Sequence, residues 1–186
     1  MATRFPITSS FDPDKVPFYG RLRSPRWLEQ VMETPLGPIA FYNVHPLSPR
    51  EGFLALRGHG LKREILSGRL FSGANKDISR ANSGLRALQV ADFAAAASEE
   101  KLPVVIAGDT NLPGMSFVLN HSLSAYQDGF AKAGWGFGYT FPTTHSPWMR
   151  IDRIFAGEQL RFAHFEVGRS LVSDHDCVVA DLQRAE

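Results

Sequence analysis

Six polar residues sit at the ends of apolar, strand-like runs and could share one chemistry. IAFYNVH ends in His45, and VVIAGDTN ends in Asp109 and Asn111. RIDRIF carries Asp152, and SDHDCVVADL opens with Asp174 and His175. These types suit phosphate-ester hydrolysis. That reaction needs carboxylates to hold a hard cation such as Mg²⁺ or Mn²⁺, with Ca²⁺ a further candidate. It needs a carboxylate to orient or deprotonate water, and an amide or imidazole to hold phosphoryl oxygens. An imidazole in such a place needs a fixing partner, which makes Asp152 and His175 a sensible pair.

Taken singly, each group has a plainer alternative. GDTN is also a turn sequence, because Gly, Asp and Asn favour turns. Asp152 lies in an apolar strand and must be partnered if buried; a salt bridge to Arg150 or Arg153 would do this as well as a histidine. His45 alone reads as a core or edge histidine. His59, His121, His145 and His164 show no metal-ligand spacing and read as structural.

Positioning these groups requires rigid strands that share one rim. Residues 1–24 are rich in Pro, Ser and charge and read as an irregular lead-in to a single domain over 25–186. Residues 26–45 read as strand, turn and strand, with the turn at Pro35–Pro38. Ile39–Val44 is apolar enough to be buried on both faces. A short helix is expected around Leu61–Leu70. Val90, Phe93, Ala94 and Ala97 follow the i, i+3, i+4, i+7 spacing of an amphipathic helix. PVVIAGDTN reads as a core strand running into a polar turn, and Tyr126–Ala133 as a helical patch. RIDRIFA, LRFAHFEVG and HDCVVADL read as three closing strands. Strands dominate, which predicts a layered α/β or α+β domain with a mainly antiparallel sheet.

Overall charge is +1, so no general basic field advertises nucleic acid. Arg57, Lys62, Arg63 and Arg69, opposed only by Glu64, form either a local cationic rim or a solvated face. One cysteine, Cys177, rules out an intrachain disulfide and reads as a small buried core residue. No apolar run has the length of a membrane span, and no signal-peptide pattern opens the chain; a cytoplasmic setting is expected.

In order, NVH, GDTN, RIDRIF and SDH resemble the endonuclease/exonuclease/phosphatase superfamily of DNase-I-like nucleases, inositol-phosphate phosphatases and sphingomyelinases. GDTNLPG, GWGFGYTFP and RIDRIF are similar to a bacterial branch of it. The resemblance covers about residues 25–183. It implies an α+β fold, a two-layer β-sandwich of mostly antiparallel sheets flanked by helices. It implies that His45 lies near the scissile phosphate and that Asp109 positions the attacking water or a second metal. Asn111 would contact the phosphate, Asp152 would orient His175, and Asp174 would be a metal ligand. His175 would stabilise the pentacoordinate phosphorus.

The sequence departs from the family pattern at Thr110, where an aromatic is usual, and near Cys177, where Pro or Arg is common. Only 44 residues precede His45, and they show neither the family's Asn-bearing strand nor its metal-binding Glu. Three accounts stand: a truncated, poorly active chain; replacement of the Glu by Glu29, Glu33, Asp12 or Asp14; or a homodimer covering an N-terminally shortened sandwich. The functional expectation is a divalent-metal-dependent phosphoesterase acting on a small phosphodiester or nucleic acid, with several phosphate esters as an open range. The GWGFGYTF segment would pack the sandwich edge or line a base or aryl pocket. The alternative function is a catalytically impaired binding or dimerisation module. A Ser173 or Cys177 nucleophile fits poorly, because Ser173 lacks a nucleophile-elbow context and Cys177 is expected inside a strand.

Overall fold

The computed structural model describes residues 3–18, 20–48, 73–143 and 147–185. The helix expected at Leu61–Leu70 and the basic stretch Arg57–Arg69 lie outside these residues, as do His59 and His145.

The predicted strand–turn–strand is β4 (Trp27–Thr34) and β5 (Gly37–Val44), paired antiparallel from Trp27↔Val44 to Thr34↔Gly37. Pro35 and Leu36 turn the chain, Thr34 Oγ1 donates to the Gly37 carbonyl at 2.7 Å, and Gly37 takes φ +89°. Pro38 already belongs to β5. The long helix α1 (Gly73–Glu99) then carries the chain to β6 (Val104–Asp109), which lies parallel to β5. β8 (Asp152–Ala156) pairs antiparallel with β6. β1 (Ile7–Phe11) and β7 (Gln127–Asp128) form the two edges, giving the order β1-β4-β5-β6-β8-β7.

The sheet is covered on both faces, as the apolar run of β5 predicts. On one face Ala40, Tyr42, Val44, Val104, Ile106 and Phe155 pack under Val90, Phe93, Ala94 and Ala97 of α1. This is the helical stripe legible in the sequence. On the other face Ile39, Val105, Ala156 and Leu160 form a second core with Leu182 against it. Leu160 and Leu182 belong to a separate antiparallel pair, β9 (Leu160–Gly168) and β10 (Cys177–Arg184). The architecture is an α+β sandwich with one parallel pair in a mostly antiparallel sheet.

Four details differ from the sequence reading. The lead-in holds strands: β1 pairs with β4, and β2 (Val16–Phe18) with β3 (Arg21–Arg23). β1 is exposed at every position, so it has no apolar alternation to betray it. The helical patch expected at Tyr126–Ala133 is the edge strand β7 followed by the short helix α3 (Gly129–Ala133), capped by Asp128, and a further short helix, α2 (Phe117–Ser122), capped by Ser116, precedes it. Cys177 is exposed, because it lies on the outer face of a two-stranded sheet and its Sγ reaches only the Gly168 carbonyl, at 3.2 Å. Within GWGFGYTF, Trp135 (95%) and Phe137 (78%) neither pack an edge nor line the pocket described below; both are exposed to solvent. Gly134 and Gly138 lie so close to Phe130 that neither has room for a Cβ, so the alternate side chains face outward.

Gly108 has no room for a side chain. It has φ +146°, and a Cβ there would overlap the Val44 carbonyl oxygen. Only glycine therefore fits at the last β5–β6 pairing, Val44↔Gly108, just before His45 and Asp109.

Candidate active site

The rim beyond that point gathers the polar groups. Asp109 closes β6 and Asp152 opens β8, and the two are direct cross-strand partners. Like charges set opposite each other are destabilising, so fold stability alone gives no reason for the pair. Both side chains are largely shielded, 18% and 17% exposed. Burial pushes the Asp109 carboxyl above its ordinary range. The Asn111 N–H opposes that rise, Asp152 adds to it, and His175 and His45 oppose it.

Asp152 has its partner: its Oδ2 lies 2.8 Å from Nδ1 of His175. The salt-bridge alternative is closed, because Asp128 occupies both arginines. Its carboxylate takes Arg150 and Arg153 at 2.7 Å each and caps α3 through the Phe130 and Ala131 N–H groups. Thr140 braces the same corner. Its Oγ1 accepts from the Ile151 and Asp152 N–H groups, and its carbonyl accepts from Asp176 N at 2.7 Å. The loop bearing His175 is fixed further by Thr143 Oγ1, which donates to the Ser173 carbonyl. The Phe141 ring lies 4.6 Å from the His175 ring, centroid to centroid.

Asn111 is buried in the left-handed region at φ +50°. Its N–H donates to Asp109 Oδ1 at 2.8 Å, and its Nδ2 to the Pro46 carbonyl at 3.0 Å. With Oδ1 so engaged, Asp109 turns Oδ2 toward His45 Nε2, 3.8 Å away. His45 is 64% exposed at the mouth, and its N–H is held by the Arg26 carbonyl.

These residues line one pocket of about 480 Å³. His45, Asp109, Asn111, Asp174 and His175 form its polar side, and Phe141, Trp148, Met149 and Ile151 its apolar wall. All the residues singled out at the strand ends therefore come together, with Asp152 immediately behind His175. Asp109, Asp152 and His175 offer ligand atoms within 4.8 Å of one another, a grouping suited to a metal ion. Asp174 lines the pocket, outside that trio.

The trio fits a hard divalent cation. Two shielded carboxylates face each other, and among the described residues no Lys or Arg forms a salt bridge to either. None of the suggested replacement acids joins them. Glu29 lies beside Tyr42, where burial, chiefly, and then this carboxylate raise the phenol's pKa. Glu33 opposes Pro38 at the far end of the sheet, and Asp12 and Asp14 are exposed between β1 and β2. The sequence reading missed Thr140, Asp128 and, apart from Phe141 of the GWGFGYTF segment, the apolar wall. An Asp before Gly129 at a helix start was a legible cap signal; nothing local marks Thr140.

No curated protein matches the sequence significantly. Solved structures do match its fold. An endonuclease/exonuclease/phosphatase from Beutenbergia cavernae is 21% identical with TM-score 0.61, covering 98% of this chain and 46% of that one. The mannosyl-6-phosphatase Bt3783 of Bacteroides thetaiotaomicron is 18% identical with TM-score 0.56, covering 96% and 67%. A humanized D. rerio TDP2 is 17% identical with TM-score 0.59, covering 95% and 67%. The chain thus spans about half to two thirds of the length of these structures. The model of the Endonuclease/Exonuclease/phosphatase family matches residues 2–175, and with the DNase-I-like sandwich and the ordered strand-end residues it shows that this chain belongs to that family.

Proposed function

We propose that the chain hydrolyses phosphate esters, phosphodiesters foremost, in the pocket between His45 and His175. The observation that carries this reading is the Asp152–His175 pair set against Asp109 across one strand pairing. Asp109 and Asp152, with Asp174 at the rim, would hold a divalent cation, Mg²⁺ or Mn²⁺ first and Ca²⁺ also. Such an ion, when bound, supplies charge neutralisation and polarisation of a phosphoryl oxygen.

The chain's own groups do the rest. Asp152 holds His175 by Nδ1 and so leaves Nε2 facing the substrate, where it would contact the phosphoryl oxygens. Asp109 accepts a proton from the attacking water, and its raised pKa makes it the stronger base. Asn111 uses one amide N–H on Pro46 and keeps a second for the phosphate. His45 contacts the ester from the mouth. The neighbour named as a mannosyl-6-phosphatase supports including sugar phosphates among the substrates tested.

The test is hydrolysis of bis-p-nitrophenyl phosphate by EDTA-stripped protein with Mg²⁺, Mn²⁺ or Ca²⁺ restored. Metal-restored turnover that is lost in Asp174→Ala and cut about a hundred- to a thousand-fold in His175→Ala is expected. Full activity in either variant would place the chemistry elsewhere. As partner we propose a second copy of the chain. This rests on β10, which exposes Val179 and Cys177 and pairs on one side only among the described strands. Light scattering giving a clean monomer at micromolar concentration would remove that partner.

A further inference from the structure

α1 carries a polar ridge beside its apolar stripe. Asn82, Arg86 and Gln89 recur at i, i+4 and i+7 and share one face. Gln89 is 1% exposed; its Oε1 accepts from Leu47 N at 2.8 Å and its Nε2 donates to the Ser24 carbonyl at 2.7 Å. Asn82 Nδ2 donates to the Ser48 carbonyl at 3.3 Å. Arg86 is 8% exposed, and among the described residues it forms no salt bridge. Its guanidinium donates to Asn82 Oδ1 at 2.5 Å and to the Asn111 carbonyl at 3.5 Å, and its Nε has no partner.

A buried arginine with no carboxylate partner among the described residues is an expensive way to pack a helix. An apolar side chain would fill the space at less cost. Its contacts give it another use. Asn111 holds a left-handed backbone, which persists in a non-glycine residue only when its surroundings over-determine it. Three bonds do so: its N–H to Asp109, its amide to Pro46, and its carbonyl from Arg86.

We infer that Arg86 is a positioning residue for the active site, fixing the Asn111 peptide so that Asp109 keeps Oδ1 engaged and Oδ2 turned into the pocket. The inference rests on the phosphoesterase reading of that pocket. Arg86 touches no substrate and acts only through Asn111. Gln89 and Asn82 hold the residues that follow His45, so one helix face sets both sides of the pocket.

The test is Arg86→Met in the full chain, assayed on bis-p-nitrophenyl phosphate with Mn²⁺ well below its unfolding temperature. A purely structural arginine would lower stability and leave turnover per folded molecule unchanged. A positioning arginine gives the reverse: kcat falls about ten- to hundredfold, KM stays within about twofold, and the urea midpoint moves little. Arg86→Lys, which keeps a donor for the Asn111 carbonyl, recovers part of the loss. A second readout needs no activity. The Asn111 carboxamide NMR signal, assigned by its loss in Asn111→Asp, shifts or broadens in Arg86→Met. Wild-type kcat and an unmoved amide signal would overturn the inference. If Arg86→Met does not fold, Asn82→Ala replaces it, removing the brace on Arg86 with the same shift and a smaller loss of kcat expected. A wild-type protein inactive on every ester would sink the phosphoesterase reading instead, and the amide signal alone would then decide the positioning.

Discussion

Replacing Asp152 with Asn separates what this carboxylate does for catalysis from what it costs the fold. In the structure it accepts a 2.8 Å bond from His175 Nδ1 and faces Asp109 across the β6–β8 pairing. A hydrogen bond to a charged partner contributes about 1.5–3 kcal/mol, which at about 1.4 kcal/mol per decade is a loss of about ten- to 150-fold in kcat. The same change removes a like-charge opposition of about 0.2–1 kcal/mol. The resting fold loses that bond too, so stability should fall by about 0.5–3 kcal/mol while turnover collapses. The assay is kcat and KM on bis-p-nitrophenyl phosphate at saturating Mn²⁺, with a urea midpoint for each variant. A double-mutant cycle supplies the decisive comparison. If Asp152 acts through His175, Asp152→Asn in a His175→Ala background costs no more than about a further twofold. Full multiplicative losses in the cycle, or wild-type turnover in Asp152→Asn, would refute the reasoning.

Asp109→Asn should lose activity yet gain about 1 kcal/mol of stability at neutral pH, since it removes a charge that burial disfavours. The sign follows from its raised pKa: the folded state holds this proton more tightly than the unfolded one. Stability is therefore lost as pH rises from the ordinary value of 3.8 through the raised one. Urea titrations across pH should show that slope in the wild type and a flatter one in the variant. Mn²⁺ at about a hundred times its Kd should stabilise the wild type by about 2.7 kcal/mol, and calorimetry should show no such gain in Asp109→Ala. Asp128→Ala strands Arg150 and Arg153, the latter 2% exposed, and should cost about 3–5 kcal/mol by urea unfolding.

The site was legible because strands fix where their ends go. His45 and Asp109 follow apolar runs too long and too regular to be anything but core strands, so their polar tips had to emerge at a rim. Asp152 was legible through its misfit among Ile151 and Ile154, and its two alternatives needed coordinates to choose between them. Asp128 decided that choice from a distant helix cap, which no local pattern around residue 152 records. β1 escaped because an exposed edge strand carries no hydrophobic period. Cys177 misled because β10 reads as an apolar run while one of its faces meets solvent. Arg86 was invisible for a different reason: charge at a helix position ordinarily means water, and its burial depends on how the 24–26, 45–48 and 109–112 loops close over α1.

The glycine at 108 limits how this protein can vary. Its missing side chain is what lets β6 take φ +146° opposite Val44 and stay paired where His45 and Asp109 leave the two strands. The opposite end of the same pairing, at Ala40 and Val104, carries ordinary side chains and can absorb change. A random-variant library sorted for folding would tolerate much at that far end. At 108 even alanine would prise the rim apart, so any such protein would keep its sheet and lose its reach between histidine and carboxylate. Inheritance of activity in this chain therefore passes through a position with no functional group at all.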